Sequence, residues 1–201
     1  MMPSPVHSEV VCMTFDFDAF CNSYIDDLQR TLSELSRVEL TNFFEEVIGV
    51  GKRDGSIHMI GNGGSAATPS HSAGDWSKEL KIRTISHTDN ISSFTAWAND
   101  TDYSNVFVGQ LSTFAKQGDL VIAYSGSGNS SNVLRGVEEA KNKGCRTAAV
   151  TGNYNGGSGG KLAQIVDVAI IVPTDSMERI EDLQLIINHI VKEAAKANLG
   201  M

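Results

Sequence analysis

Two short runs in this sequence combine glycine with small hydroxyl and amide side chains: Gly61-Asn62-Gly63-Gly64-Ser65 and Ser125-Gly126-Ser127-Gly128-Asn129-Ser130-Ser131. Glycine lets a backbone approach an anion closely, and the first turn of a following helix offers unpaired N–H groups and the positive end of its dipole. Serine hydroxyls add neutral donors suited to phosphate oxygens or sugar hydroxyls. The chemistry suggested is capture of a monophosphate; a pair of plain strand-to-helix turns is the alternative. Gly126 to Ser131 also approaches the dinucleotide pattern G-x-G-x-x-G. The acid that should follow about 20 residues later is missing, because Arg146 to Thr151 contains none. Neither run has the Gly-Lys-Ser/Thr ending of a P-loop, so no nucleotide cofactor is expected.

A second group of residues is titratable. His71 and Asp75 are four apart, which places them on one face of a helix. Glu181 and His189 are eight apart, about two turns and so roughly aligned. Leu183, Ile186, Ile187 and Ile190 occupy the neighbouring apolar face. Two imidazoles and two carboxylates could ligate a zinc-like ion or transfer protons. Spacing alone favours the plainer reading, a solvated Asp–His pair. His58 stands in an apolar run and reads as a packed side chain, whereas His7 and His87 have no evident partners. Trp76 and Trp97 read as core or rim aromatics, and Gly152 to Gly160 as either a lid or a flexible connection.

The elements that must position these groups follow from periodicity. Residues 1 to 14 lack a clear period and are expected to be a loose terminus. An apolar stripe at spacings of three and four runs from Phe17 to Leu35, and a second from Leu40 to Ile48, with a capping-box spacing at Ser36 and Glu39. These predict a helical arm over residues 15 to 50, within one domain of residues 15 to 201. Beyond Gly55, strand candidates at Ile57–Ile60, Ile82–Ser86, Leu120–Tyr124, Thr147–Val150 and Val168–Val172 alternate with helical stretches near Ala67–Lys78, Tyr103–Lys116, Asn132–Lys143 and Met177–Lys196. Alternation of this kind implies right-handed crossovers and a parallel sheet. The near-continuous apolar runs suit strands covered on both faces. The expected fold is a three-layer α/β/α domain in which both glycine–serine runs leave the carboxyl ends of strands, where open parallel sheets bind ligands.

Composition narrows the function further. The 201 residues carry a net charge of −8, which argues against nucleic acid as the main partner. There is no apolar run of membrane-spanning length and no export signal, so neither a membrane nor secretion is expected. Three cysteines without CxxC spacing suit a reducing, cytoplasmic compartment.

Several spaced motifs together resemble one family. They are Gly61 to Ala67, Asn99-Asp100, Ser125 to Ser130 with Asn132-Val133, Thr151-Gly152, Gly159-Gly160-Lys161-Leu162, and a last helix carrying His189. Over residues 16 to 197 the chain is similar to the SIS (sugar isomerase) domain family, and within it to the phosphoheptose isomerases. The resemblance implies a five-stranded parallel sheet, a homotetramer with the N-terminal helices at its interface, and a small phosphorylated sugar as ligand. It implies that Ser125, Ser127 and Ser130 hold the phosphate. Asn62, Gly63 and Ser65 would line the sugar site, with Asn99 and Asp100 also facing the substrate. Asp75 and His189 would be the acid–base pair, and some members bind zinc through the positions of His71, Asp75, Glu181 and His189. Two departures stand out: Asp75 where the family usually has glutamate, and Glu181 where it usually has glutamine. Aspartate is one methylene shorter, and glutamate adds a negative charge that improves a cation site. The implied reaction is aldose–ketose isomerisation of sedoheptulose 7-phosphate through an enediol. The competing expectation is a non-catalytic phosphosugar-binding, scaffold or regulatory protein on the same fold; the four ionisable positions favour the enzyme.

Overall fold

The computed structural model describes residues 15–201. The loose terminus expected over residues 1 to 14, with His7 in it, lies outside the described residues. Five parallel strands form the centre: β1 (Ile57–Gly61), β2 (Thr84–Ser86), β3 (Leu120–Ser125), β4 (Arg146–Gly152) and β5 (Val168–Val172), in the order β2-β1-β3-β4-β5. The strand order reverses between β1 and β3, which pair in register from Ile57 with Leu120 to Gly61 with Tyr124. In such sheets the reversal opens a crevice beyond the carboxyl ends of the two strands. Both glycine–serine runs start there.

The layers follow from alternation along the strands. Leu120, Ile122 and Tyr124 of β3 face a core shared with Phe43, Val47, Trp76, Leu183 and Ile187. Val121 and Ala123 face the opposite core with Phe107, Val133, Val137 and Leu162. The first layer contains α2 (Arg37–Lys52) and α8 (Met177–Leu199), with α3 (Gly64–Asp75) packed against α8. The second contains α5 (Val106–Phe114), α6 (Ser131–Asn142) and α7 (Gly160–Ile165), with α4 (Ile91–Asp100) against α5. This is the expected three-layer α/β/α fold.

The two helices of the expected arm behave differently. Phe43, Val47 and Val50 of α2 are fully buried, so α2 is part of the layer rather than an appendage. Only Thr31 is buried in α1 (Phe17–Ser33), while Phe17, Phe20 and Ile25 are exposed. The Ser36 hydroxyl accepts the Glu39 N–H as the capping spacing predicts. The Glu39 carboxylate does not return to Ser36 but accepts the Ile171 N–H, which ties α2 to β5.

Three local differences from the sequence reading matter. The edge strand is three residues rather than five, since only Thr84–Ser86 pairs with β1. The helix α4 was not expected; its start is marked by Asn90, whose side chain accepts the Ser93 N–H, and Phe94 and Ala98 pack inward. The helix read as Ala67–Lys78 begins earlier, at Gly64, and its last turn widens into a π-helical turn, Trp76–Leu80, starting immediately after Asp75. The fully buried Trp76 anchors that turn. Such bulges recur at functional sites.

Candidate active site

The first loop must turn sharply from β1 into α3. At Gly61 a Cβ would stand 2.2 Å from the Ser65 carbonyl oxygen, so only glycine allows the helix to begin so close to the strand. The second loop closes in the same way, for Gly128 has φ +64° and its Cβ would meet the Gly159 carbonyl at 1.9 Å. That contact also shows what Gly152 to Gly160 does. Leu162 N–H donates to Gly128 O at 2.9 Å and Lys161 N–H to Asn129 Oδ1 at 3.2 Å, which ties the segment to the second loop.

Between the loops lies a cavity of about 280 Å³ lined by Asn62, Gly63, Ser65, Ser125, Ser127, Ser130 and Glu181, together with Met177. Seven of the expected site residues therefore meet in one place. The N-caps of α3 and α6 are Gly63 and Ser130, and neither makes a side-chain capping bond. Ser65 N–H faces Glu181 and Val133 N–H donates to Asn132 Oδ1, which leaves the N–H groups of Gly64, Ser131 and Asn132 and the Ser130 hydroxyl without a partner among the described residues. Two helix N-termini thus converge on the cavity, and Glu181 is the one charged side chain lining it among the described residues. Burial, helped by the nearby Glu178 and Asp182 carboxylates, raises the Glu181 carboxyl above its usual range, while the Ser65 N–H opposes the shift.

Asn62 is held from both sides. Its Nδ2 donates to Asn132 Oδ1 at 2.9 Å, Asn132 Nδ2 returns a bond to Asn62 Oδ1 at 2.8 Å, and the Tyr103 hydroxyl donates to the same oxygen at 3.0 Å. The sequence reading had not singled out Tyr103 or given Asn132 a role. The signal was an asparagine in each loop, able to pair as reciprocal amides.

The titratable group is assembled by α3 and α8. Tyr124 on β3 donates to Asn188 Oδ1 at 3.0 Å, and Asn188 Nδ2 donates to Ser72 Oγ at 2.7 Å, all three side chains being buried. This chain fixes the neighbours of His189 and His71 and so sets the two helices in register. On the accessible side His71 Nε2 lies 3.1 Å from His189 Nε2 and 3.4 Å from Asp75 Oδ2, with His189 Nε2 at 4.0 Å from the same oxygen. The Lys192 ammonium beside it, with smaller contributions from the two imidazoles, holds the Asp75 carboxyl below the usual range.

His71, Asp75 and His189 offer three ligand atoms within 4.8 Å of one another, an imidazole and carboxylate set whose chemistry fits zinc. Glu181, expected as a fourth ligand, is not in this cluster. Its carboxylate stands beside Gly64, about two turns of α8 before His189. Glu181 instead separates the loop cavity from a hollow of about 750 Å³ between α1, α3 and α8 that His71 also lines. Asn99 and Asp100, expected to face the substrate, do not line the loop cavity. They end α4, where Asn99 Nδ2 donates to Asp100 Oδ1 at 2.8 Å and Asp100 lines a separate hollow with Trp97.

Among the described residues, the other two histidines, His58 and His87, form a second, buried constellation. His58 packs inside the protein as expected, but His87 is not without partners. His58 Nδ1 and His87 Nε2 are 3.0 Å apart, His58 Nε2 is 3.2 Å from Asp119 Oδ2, and His87 Nδ1 is 3.3 Å from Gln110 Oε1. Burial lowers the pKa of both rings, His87 to about 4, and Asp119 acts in the opposite direction on His58.

Known proteins resemble this chain in both sequence and fold. The SIS domain family model matches residues 22–152. The chain is 38% identical to the phosphoheptose isomerase of a Nitratiruptor species over 145 residues, covering 70% of this chain and 75% of that protein. It is 35% identical to the phosphoheptose isomerase of Sulfurimonas denitrificans over 174 residues, 82% of this chain and 86% of that one. The solved phosphoheptose isomerase of Neisseria gonorrhoeae superposes with a TM-score of 0.85 at 26% identity, over 90% of this chain and all of that one. The chain belongs to the SIS domain family and, within it, to the phosphoheptose isomerases.

Proposed function

We propose that this protein is an aldose–ketose isomerase that converts D-sedoheptulose 7-phosphate to a D-glycero-D-manno-heptose 7-phosphate. The observation that carries the reading is the pairing of a cation-free anion cavity with a carboxylate–imidazole cluster on adjacent helices. A net −8 chain binds the phosphate through the hydroxyls of Ser125, Ser127 and Ser130 and through the N-termini of α3 and α6. Asn62, Gly63 and Ser65 face the sugar. Asp75 and His189 exchange the proton between the two carbons that trade oxidation state, one removing it and the other returning it to the neighbouring carbon. His71 orients this pair through its contacts with both. Zinc, where it binds, would be held by His71, Asp75 and His189 and would supply Lewis-acid stabilisation of the charge developing on the substrate oxygens.

The reading includes a homotetramer, supported by exposed apolar side chains on and just before α1: Phe15, ahead of the helix, is 72% exposed, and Phe17, Phe20 and Ile25 within it are 64%, 53% and 50% exposed. It places the protein in the cytoplasm, supported by the free thiols of Cys21 and Cys145 and by the lack, among the described residues, of any helix long and apolar enough to cross a membrane. The test is incubation with sedoheptulose 7-phosphate in deuterated water. Deuterium should enter the sugar and an aldose product should accumulate; a protein that gives neither, with or without added zinc, is not this enzyme.

A further inference from the structure

The last helix carries a lysine whose placement the reaction does not by itself require. Lys192 lies three residues after His189, on the neighbouring part of the same helix face. Its side chain turns back against the protein, so that only 8% of the residue is exposed. A buried ammonium is costly unless carboxylates surround it. Here Nζ is 3.1 Å from Asp75 Oδ2, 3.3 Å from Glu79 Oε1 and 3.4 Å from Glu193 Oε1. The other oxygen of Glu79 accepts from Lys196 at 2.9 Å. Positive and negative groups therefore alternate from Lys196 through Glu79 and Lys192 to Asp75, from α8 across the π-helical turn to the end of α3.

The contacts on Asp75 all fall on one atom. His71, His189 and Lys192 each face Oδ2, and among the described residues no hydrogen bond reaches Oδ1. Of the three, Lys192 makes the shortest approach. An aspartate has a shorter reach than the glutamate usual at this position, so its usefulness depends on how well its carboxylate is aimed. We propose that Lys192 is the positioning residue for Asp75: its ammonium anchors Oδ2, orients the short carboxylate toward His71 and His189, and leaves Oδ1 free. Lys192 touches no substrate in this arrangement. Glu79 is the second anchor, held in turn by Lys196, and keeps the ammonium from swinging to solvent. The inference rests on the reading that Asp75 exchanges the proton.

The test uses two replacements and one spectroscopic signal. Lys192→Met keeps the apolar stem and removes the charge; it should lower kcat on sedoheptulose 7-phosphate about tenfold or more, the usual effect of removing a partner that orients a reacting group, with KM changed by less than about threefold. Lys192→Arg can reach both carboxylates and should recover most of the lost kcat. Turnover at the wild-type level in Lys192→Met, a loss in KM instead of kcat, or no recovery in Lys192→Arg overturns the proposal. The contact itself is read without turnover, from the ¹⁵N and ¹H signal of the Lys192 ammonium in the full-length protein. That signal should be protected from exchange with water and should shift in Asp75→Ala; an unmoved signal sinks the proposal even if the replacements impair activity. A wild-type protein with no turnover refutes the isomerase reading, and the ammonium signal still decides whether Lys192 holds Asp75.

Discussion

Two sets of two histidines and one aspartate sit in this molecule, and their closest ring contacts are nearly equal: 3.1 Å between His71 and His189, and 3.0 Å between His58 and His87. Almost everything else about them differs. The first pair meets edge to face with side chains 50% and 45% exposed, and its aspartate is held by a lysine. The second pair is stacked and sealed, and its aspartate is held by the backbone N–H groups of Ser56 at 2.7 Å and Lys116 at 2.8 Å. One set opens on a hollow that a ligand can enter; the other joins the starts of β1 and β3 to His87 and α5. Residue type sets what chemistry a cluster is capable of, and access decides whether it is used.

Hydrogen counting sharpens the contrast. Gln110 donates both amide hydrogens, to His87 O at 2.9 Å and Val106 O at 3.1 Å, so its oxygen must accept from His87 Nδ1. His87 Nε2 then accepts from His58 Nδ1. With both rings neutral, two hydrogens serve three links, and the link from His58 to Asp119 is left without one. A third hydrogen would satisfy every link by making His58 an imidazolium against Asp119, but burial opposes that charge. The buried set is a structural clamp, tying the segment before β3 to β1, His87 and α5.

The strongest way to break the comparison is to remove the aspartate from each set. Asp75→Asn should lower kcat about a hundredfold to ten-thousandfold, the range spanned by general acid–base groups, with little change in melting temperature. Asp119→Ala should do the reverse. It strands two backbone N–H groups and a histidine in the interior and should cost about 3 to 5 kcal/mol in denaturant unfolding, while the molecules that remain folded keep their kcat. If Asp119→Ala removes activity at constant stability, the two sets do not divide function and structure in this way.

A pH titration separates them next. His87 titrates in the folded protein near 4, against 6.5 for an unperturbed ring. The unfolded chain therefore binds more protons between those values, so folding stability is complete above pH 6.5 and falls as the pH drops toward 4. The size of this effect is roughly 3 kcal/mol, from about 1.4 kcal/mol for each pKa unit. Urea unfolding at stepped pH values should show the slope, and His87→Gln should flatten it. A slope that survives in His87→Gln belongs to other groups.

Much of the fold was legible because its signals are local. Strands such as Leu120–Ser125 announce themselves as apolar runs, and His71 and Asp75 show their relation in a spacing of four. The short α4 escaped because its cap, Asn90, stands alone before a weak apolar period. The clamp escaped for a different reason: His58, His87 and Asp119 are 29 and 61 residues apart, and only the pairing of β1 with β2 and β3 brings them together. The spacing of eight between Glu181 and His189 gives alignment along α8, and it leaves open which hollow each side chain enters. The asparagine pair of Asn62 and Asn132 lay in plain view within two motifs, yet its reciprocal bonds needed the crevice between β1 and β3.

Glu181 supplies the smallest test and the one that bears most on the loop cavity proposed to take the phosphate. It places a carboxyl in a pocket whose other donors are hydroxyls and N–H groups, with no lysine or arginine to offset it. Its raised pKa keeps a proton on it longer than on an ordinary glutamate, and ionisation turns it into a like charge facing a phosphate. Repulsion therefore grows as the pH rises through its titration, and KM should rise with it. Glu181→Gln keeps the shape and removes the charge; KM for sedoheptulose 7-phosphate should fall about threefold, the scale of one partly screened charge pair, and lose part of its pH dependence. kcat should stay within about twofold, because Glu181 stands outside the His71–Asp75–His189 cluster. A rise in KM would mean that the carboxylate accepts a hydrogen bond from a sugar hydroxyl. In that case the cavity wall reads the sugar as well as tolerating the phosphate.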